Sequence, residues 1–107
     1  MALTRSFRDT VAARAQHDVA FRAALLEEAL QSLLDGDMDE ARVLLRDCIN
    51  ATIGFARLSE ATHTPVKSLM RMVGPRGNPS AGNLIAVLRA VQEGAGMRAR
   101  VQVDATT

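Results

Sequence analysis

The chain has 107 residues, 48% of them apolar and 23% charged, with 13 basic side chains against 12 acidic ones and a net charge of +1. That is enough apolar material for one modest core and too little chain for two. With 3 Phe, no Trp, no Tyr and Cys48 as its one cysteine, it lacks the aromatic platforms that grip single-stranded nucleic acid, a disulfide framework and a Cys-rich zinc site.

The apolar periodicity is helical nearly to the carboxyl end. Thr4 is expected to cap a first short helix through about Gln16, with Phe7 and Val11 on one face. Asp18 caps a second, in which Val19, Ala23, Leu26, Leu30, Leu33 and Leu34 share the core side, and Gly36 supplies its left-handed stop. Asp37-Met-Asp-Glu40 is a capping-box-like start. The third helix carries the stripe Ala41, Leu44, Leu45, Cys48, Ile49 and Thr52 and ends near Gly54.

Two short helices follow, Phe55 to about Thr62 and Val66 to about Val73, parted by His63-Thr64-Pro65. Thr64 is the expected N-cap of the second and Pro65 its first helical residue. Gly74-Pro-Arg-Gly-Asn-Pro79 forms turns. Ser80 caps a last helix with Leu84, Val87, Leu88 and Val91 inward, up to the Gly94-Ala-Gly96 break. Met97-Arg-Ala-Arg-Val-Gln-Val103 alternates with the period of a strand, and Asp104 to Thr107 form a frayed tail. The expected organisation is an N-terminal helical arm (1–36), a central helical region (37–93) and a C-terminal strand and tail (94–107) within one compact all-α domain.

Two short helices joined by a three-residue break, between longer amphipathic ones, have the arithmetic of a helix-turn-helix. That motif needs a small residue where its helices touch (Ser59), a residue tolerant of left-handed backbone at the turn (His63), and an apolar anchor under the second helix (Leu69, continued by Met72 and Val73). The outer side of the second helix then offers Val66, Lys67, Ser68, Met70 and Arg71 to a major groove. Lys67 and Arg71 suit guanine edges or phosphate, Ser68 a base or phosphate, and Val66 or Met70 a thymine methyl. Arg76 in the following loop and the amides after Ser80 suit phosphates, and Arg57 and Arg89 are further phosphate candidates. An αα-corner without a DNA role would need the same small, turn and apolar positions.

Charge is unevenly divided. Residues 1–53 carry six Arg against nine carboxylates, a net −3, whereas residues 54–107 carry seven basic groups against three carboxylates, a net +4. A basic half toward an anionic partner is what an oriented DNA binder shows.

Leu58-Ser-Glu-Ala-Thr-His63, Pro65-Val-Lys-Ser-Leu69, Arg71 and the loop Gly74-Pro-Arg-Gly-Asn-Pro-Ser80 resemble the phage-repressor-type helix-turn-helix of the addiction-module antidote family, the HigA-like antitoxins and related regulators. Leu69, Arg71 and Gly77-Asn78-Pro79 carry its most distinctive part. The stretches from Phe21 through Ala29 to Gly36-Asp37 and from Ala41 to Asp47 fit too, so the likeness spans roughly residues 3–103. His63 stands where the family turn has Gly, and Met70 where many relatives carry a larger polar or aromatic reader. The resemblance implies a five-helix, lambda-repressor-like fold and sequence-specific binding of a double-stranded operator as a homodimer. For genuine antidotes it also implies neutralisation of a RelE/HigB-like ribonuclease toxin.

Met97, Ala99, Val101 and Val103 form one face of the strand-like segment, which would pair with its copy across a two-fold axis, augment a toxin sheet, or remain a loose tail. The acidic first half would suit a basic toxin surface, so an antitoxin or adaptor acting mainly through protein contacts is the alternative function. Asp35-Gly-Asp37-Met-Asp39 only superficially resembles a calcium loop, since its sixth position is Glu40 and its twelfth Arg46. Cys48 lies on an apolar stripe and His17 and His63 are isolated, so no metal, no cofactor and no catalytic group is expected. Glu27 and Glu28 point about 100° apart as a solvated flank. No apolar run nears the roughly 20 residues that span a bilayer, and the amino terminus lacks a signal-peptide core, so a cytoplasmic protein without membrane contact is expected.

Overall fold

The computed structural model describes residues 18–106, which carry five α-helices and no strand. They are α1 (Val19–Leu34), α2 (Met38–Ala51), α3 (Gly54–Thr62), α4 (Val66–Met72) and α5 (Ala81–Ala95). The expected first helix, Thr4 to Gln16, lies outside the described residues. No described helix is long and apolar enough to cross a membrane.

Local chemistry sets most helix ends. Asp18 accepts from the Phe21 amide at 3.0 Å, Asp37 from the Glu40 amide at 3.1 Å and Ser80 from the Asn83 amide at 3.2 Å. Each bond satisfies an amide the first helical turn leaves orphaned. Gly36, at φ +82°, reverses the chain between α1 and α2 in a conformation that costs glycine nothing. The start of α4 differs from expectation. Pro65 (φ −57°, ψ 143°) is itself the N-cap and no side chain caps this helix, while the Thr64 hydroxyl donates backward to the Thr62 carbonyl at 3.1 Å. Proline's extended ψ delays the helix to Val66, so Thr64 stands one residue too early to cap it.

One core joins all five helices. Leu26 and Ala29 of α1 meet Leu45, Cys48 and Ile49 of α2, Leu58 of α3, Leu69 of α4, and Val87 and Val91 of α5, with Ile53 and Val73 from the connections. Of the stripes expected in α2 and α5, Ala41, Leu45, Cys48, Ile49, Val87 and Val91 are buried, Leu44, Leu84 and Leu88 are half-buried, and Thr52 turns its hydroxyl back onto the Cys48 carbonyl at 2.7 Å. In α1 the expected face is too wide. Leu26 is buried, with Leu30 and Leu33 half-buried, but Val19 and Leu34 are 63% and 78% exposed and Ala23 is exposed as well. The helix lies chiefly along one partner, α2, which covers only the narrower arc through Leu26, Ala29 and Leu33.

Cys48 is fully buried, and that desolvation, with the neighbouring Asp47 carboxylate as a lesser cause, pushes its thiol up from 9.0 to about 11. The folded thiol therefore keeps its proton to a higher pH than the unfolded one. The stability tied to it is complete below about pH 9 and is lost as pH rises toward 11. Native protein is expected to react with a disulfide thiol reagent at pH 8 far more slowly than urea-unfolded protein. Equal rates would place Cys48 at the surface.

After α5 the chain forms no strand. The Met97 amide donates to the Gln92 carbonyl at 2.8 Å and the Ala99 amide to Gln92 Oε1 at 2.8 Å, tying the first residues to the helix. Met97 packs partly on the core, whereas Val101 and Val103 are 86% and 87% exposed. The expected alternation survives as a pattern of burial only over 97–100. A strand exists only with a neighbouring strand to bond, and the described residues supply none.

Candidate nucleic-acid interface

The connection between α3 and α4 is built around Ser59. Its carbonyl accepts from the amides of His63 and Thr64, the latter at 3.3 Å, and its hydroxyl donates to the Thr64 carbonyl at 2.6 Å. Thr62 adds a bond from its hydroxyl to the Leu58 carbonyl at 2.7 Å. His63 occupies the left-handed region at φ 53°, ψ 38°, as its turn position requires.

His63 is also the sole non-glycine residue at positive φ among the described residues. That conformation costs an L-residue about 1–2 kcal/mol, against about 0.5–1 kcal/mol of extra backbone entropy for glycine. His63→Gly is therefore expected to raise stability by about 0.5–1 kcal/mol, read as a higher urea midpoint at unchanged slope. A lower midpoint would mean that the imidazole itself holds the turn.

Beneath α4, Leu69 is 1% exposed and Val73 4% exposed, which fixes the rotation of this seven-residue helix. The opposite side is open. Lys67 and Arg71 are exposed, Val66 and Met70 are 37% and 53% exposed, and Ser68 is half-buried. Neither Lys67 nor Arg71 is in an ion pair among the described residues. The structure thus brings Val66, Lys67, Met70 and Arg71 onto one accessible surface, with Ser68 at its margin.

The loop after α4 folds back on the helix end. The Gly77 amide donates to the Gly74 carbonyl at 2.9 Å, and the Gly77 Cα lies so close to the helix that a Cβ would sit 2.0 Å from the Met72 carbonyl oxygen and 2.6 Å from that of Arg71. Arg76, one residue before, is exposed. The loop is held from the other side by Arg42 of α2, whose Nη1 donates to the Gly77 carbonyl at 2.9 Å. Arg42 also pairs with Asp39, and its side chain is only 11% exposed.

Sequence reasoning missed Arg42. Its partner is 35 positions away, and at the edge of an amphipathic stripe it reads as an ordinary solvated arginine. Its function here is positional: it fastens the segment that carries Arg76.

Arg57 and Arg89 stand elsewhere. Both line an open groove of about 480 Å³ between α3 and α5 that contains no residue of α4. Arg89 reaches Glu93 Oε1 at 3.3 Å, one turn on, with both ends well exposed, a contact worth about 0–1 kcal/mol. Ser80 is exposed, and its oxygen is engaged in capping α5. The expected phosphate contacts therefore divide, with Arg76 beside the α4 surface and Arg57 and Arg89 in a groove of their own.

No protein-family profile, curated protein or solved structure matches the chain. Its functional reading rests on the residues and their arrangement.

Proposed function

We propose that the protein is a sequence-specific DNA-binding transcriptional regulator, with α3 and α4 as a helix-turn-helix and α4 as the helix that enters the major groove. The observation that carries this reading is the open face of α4. A short helix is rotated by Leu69 and Val73 and held by the Ser59 turn so that Lys67, Met70 and Arg71 are outermost. Arg71 and Lys67 supply the donors that recognise guanine O6 and N7, and Val66 and Met70 the apolar contact for thymine methyls. Ser68, at the margin, is a hydrogen-bonding partner for a base or phosphate. Arg76, fastened through Gly77 and Arg42, is the phosphate contact closest in the chain to the recognition helix. Ser80, Arg57 and Arg89 take phosphates farther along the backbone. Operators read by such helices are palindromic when two protomers bind, so a homodimer belongs to this reading.

Residue-level mapping tests it. Adding a duplex taken from upstream of the protein's own gene to isotope-labelled protein should shift the amide resonances of residues 63–80 more than those of α1. Perturbation centred on α1 and α2 would remove α4 from the interface.

A further inference from the structure

Deepening the homodimer that belongs to the DNA reading, but resting on residues outside α4, we propose that residues 100–104 are a self-complementary strand that pairs antiparallel with the same segment of a second copy of this chain. The segment leaves α5 with one edge already used, because the Ala99 amide is turned onto Gln92 Oε1. Amides alternate in direction along an extended chain, so with 100–104 extended, Arg100, Gln102 and Asp104 would present theirs to the opposite, open edge. Val101 and Val103 are almost fully exposed and fall on one face. Among the described residues, neither Arg100 nor Asp104 is in an ion pair, although Asp104 Oδ1 accepts from Gln102 Nε2 at 3.2 Å.

Charge selects the register. Pairing that keeps the two valines on the apolar face must shift in steps of two residues. Centring on Val101 sets Arg100 opposite the uncharged Gln102 and brings Asp104 opposite Arg98, before Ala99; centring on Val103 sets Asp104 opposite Gln102; and centring on Arg100 sets two arginines opposite each other. Centring on Gln102 places Arg100 opposite Asp104 of the partner copy, twice by symmetry, and packs Val101 against Val103 twice. It also uses only residues beyond Ala99. A two-stranded ribbon of this length is marginal by itself, so the association is weak and depends on concentration.

The test is sedimentation of the full-length protein from about 10 μM to about 1 mM, without DNA, for wild type, Arg100→Asp, Asp104→Arg and the double variant. Both substitutions are in an exposed segment, and circular dichroism verifies that each of the three variants keeps its helices. The wild type should move from monomer toward dimer across this range. Each single variant sets like charges opposite each other at two positions and should weaken the dimer about tenfold, and the double variant should restore it. A wild type monomeric throughout, single variants that dimerise as well as wild type, or a double variant no better than the singles would overturn the proposal. Because DNA is absent, none of these results bears on the role of α4.

Discussion

Gly77→Ala is expected to lower the stability of the protein by about 1–3 kcal/mol, a fall of roughly 4–20 °C in melting temperature for a domain of this size. The new methyl would lie 2.0 Å from the Met72 carbonyl oxygen and 2.6 Å from that of Arg71. These are backbone atoms at the end of α4, so no side-chain rotation relieves the overlap. Either the loop lifts, breaking the bond from Arg42, or the last turn of α4 unwinds. The usual gain from replacing glycine, about 0.4–1 kcal/mol through the unfolded chain, works in the opposite direction and is smaller. Gly82→Ala is the control, since nothing lies within 4 Å of its added methyl and it sits in the first turn of α5. That change should be neutral or stabilising by up to about 1 kcal/mol. Equal melting temperatures for wild type and Gly77→Ala would mean the loop is not pressed against α4.

Arg71→Ala carries the second large effect, on binding. Arg71 is exposed and in no ion pair among the described residues, so its loss should leave the urea midpoint unchanged. If its guanidinium reads a base edge, affinity for the operator falls by about 1–3 kcal/mol, or roughly 5- to 150-fold, while binding to random duplex changes little. Arg76→Ala should behave differently, weakening every sequence alike and reducing the salt slope by about one unit. Two variants that lose specific and non-specific binding in the same proportion would show that both arginines contact only the backbone.

What the sequence made legible was local chemistry. Asp18, Asp37 and Ser80 announce helix starts because a cap needs only an oxygen three residues ahead of an amide. His63 and Leu69 could be placed because a turn and an anchor have fixed offsets. The features that escaped depend on neighbours distant in the chain. Arg42 bonds a carbonyl 35 residues away. Val19 and Leu34 keep the helical period yet face solvent, because α1 has one principal partner and periodicity does not say how wide an arc that partner covers. Thr64 reads as a cap by type, but the extended ψ of Pro65 moves the helix start beyond its reach. The strand period of Met97 to Val103 is likewise a property of side chains alone, and no second strand among the described residues supplies the ladder it describes.

The central claim, that the open face of α4 recognises DNA sequence, is tested most directly by fluorescence anisotropy. The protein is titrated into duplex from upstream of its own gene and into random duplex, each at two salt concentrations. The account predicts tighter binding to the first that survives excess random competitor, with both affinities falling as salt rises and the preference lost in Arg71→Ala. Equal affinity for the two duplexes would contradict it and leave α3 and α4 as a corner of the fold with no part in reading DNA.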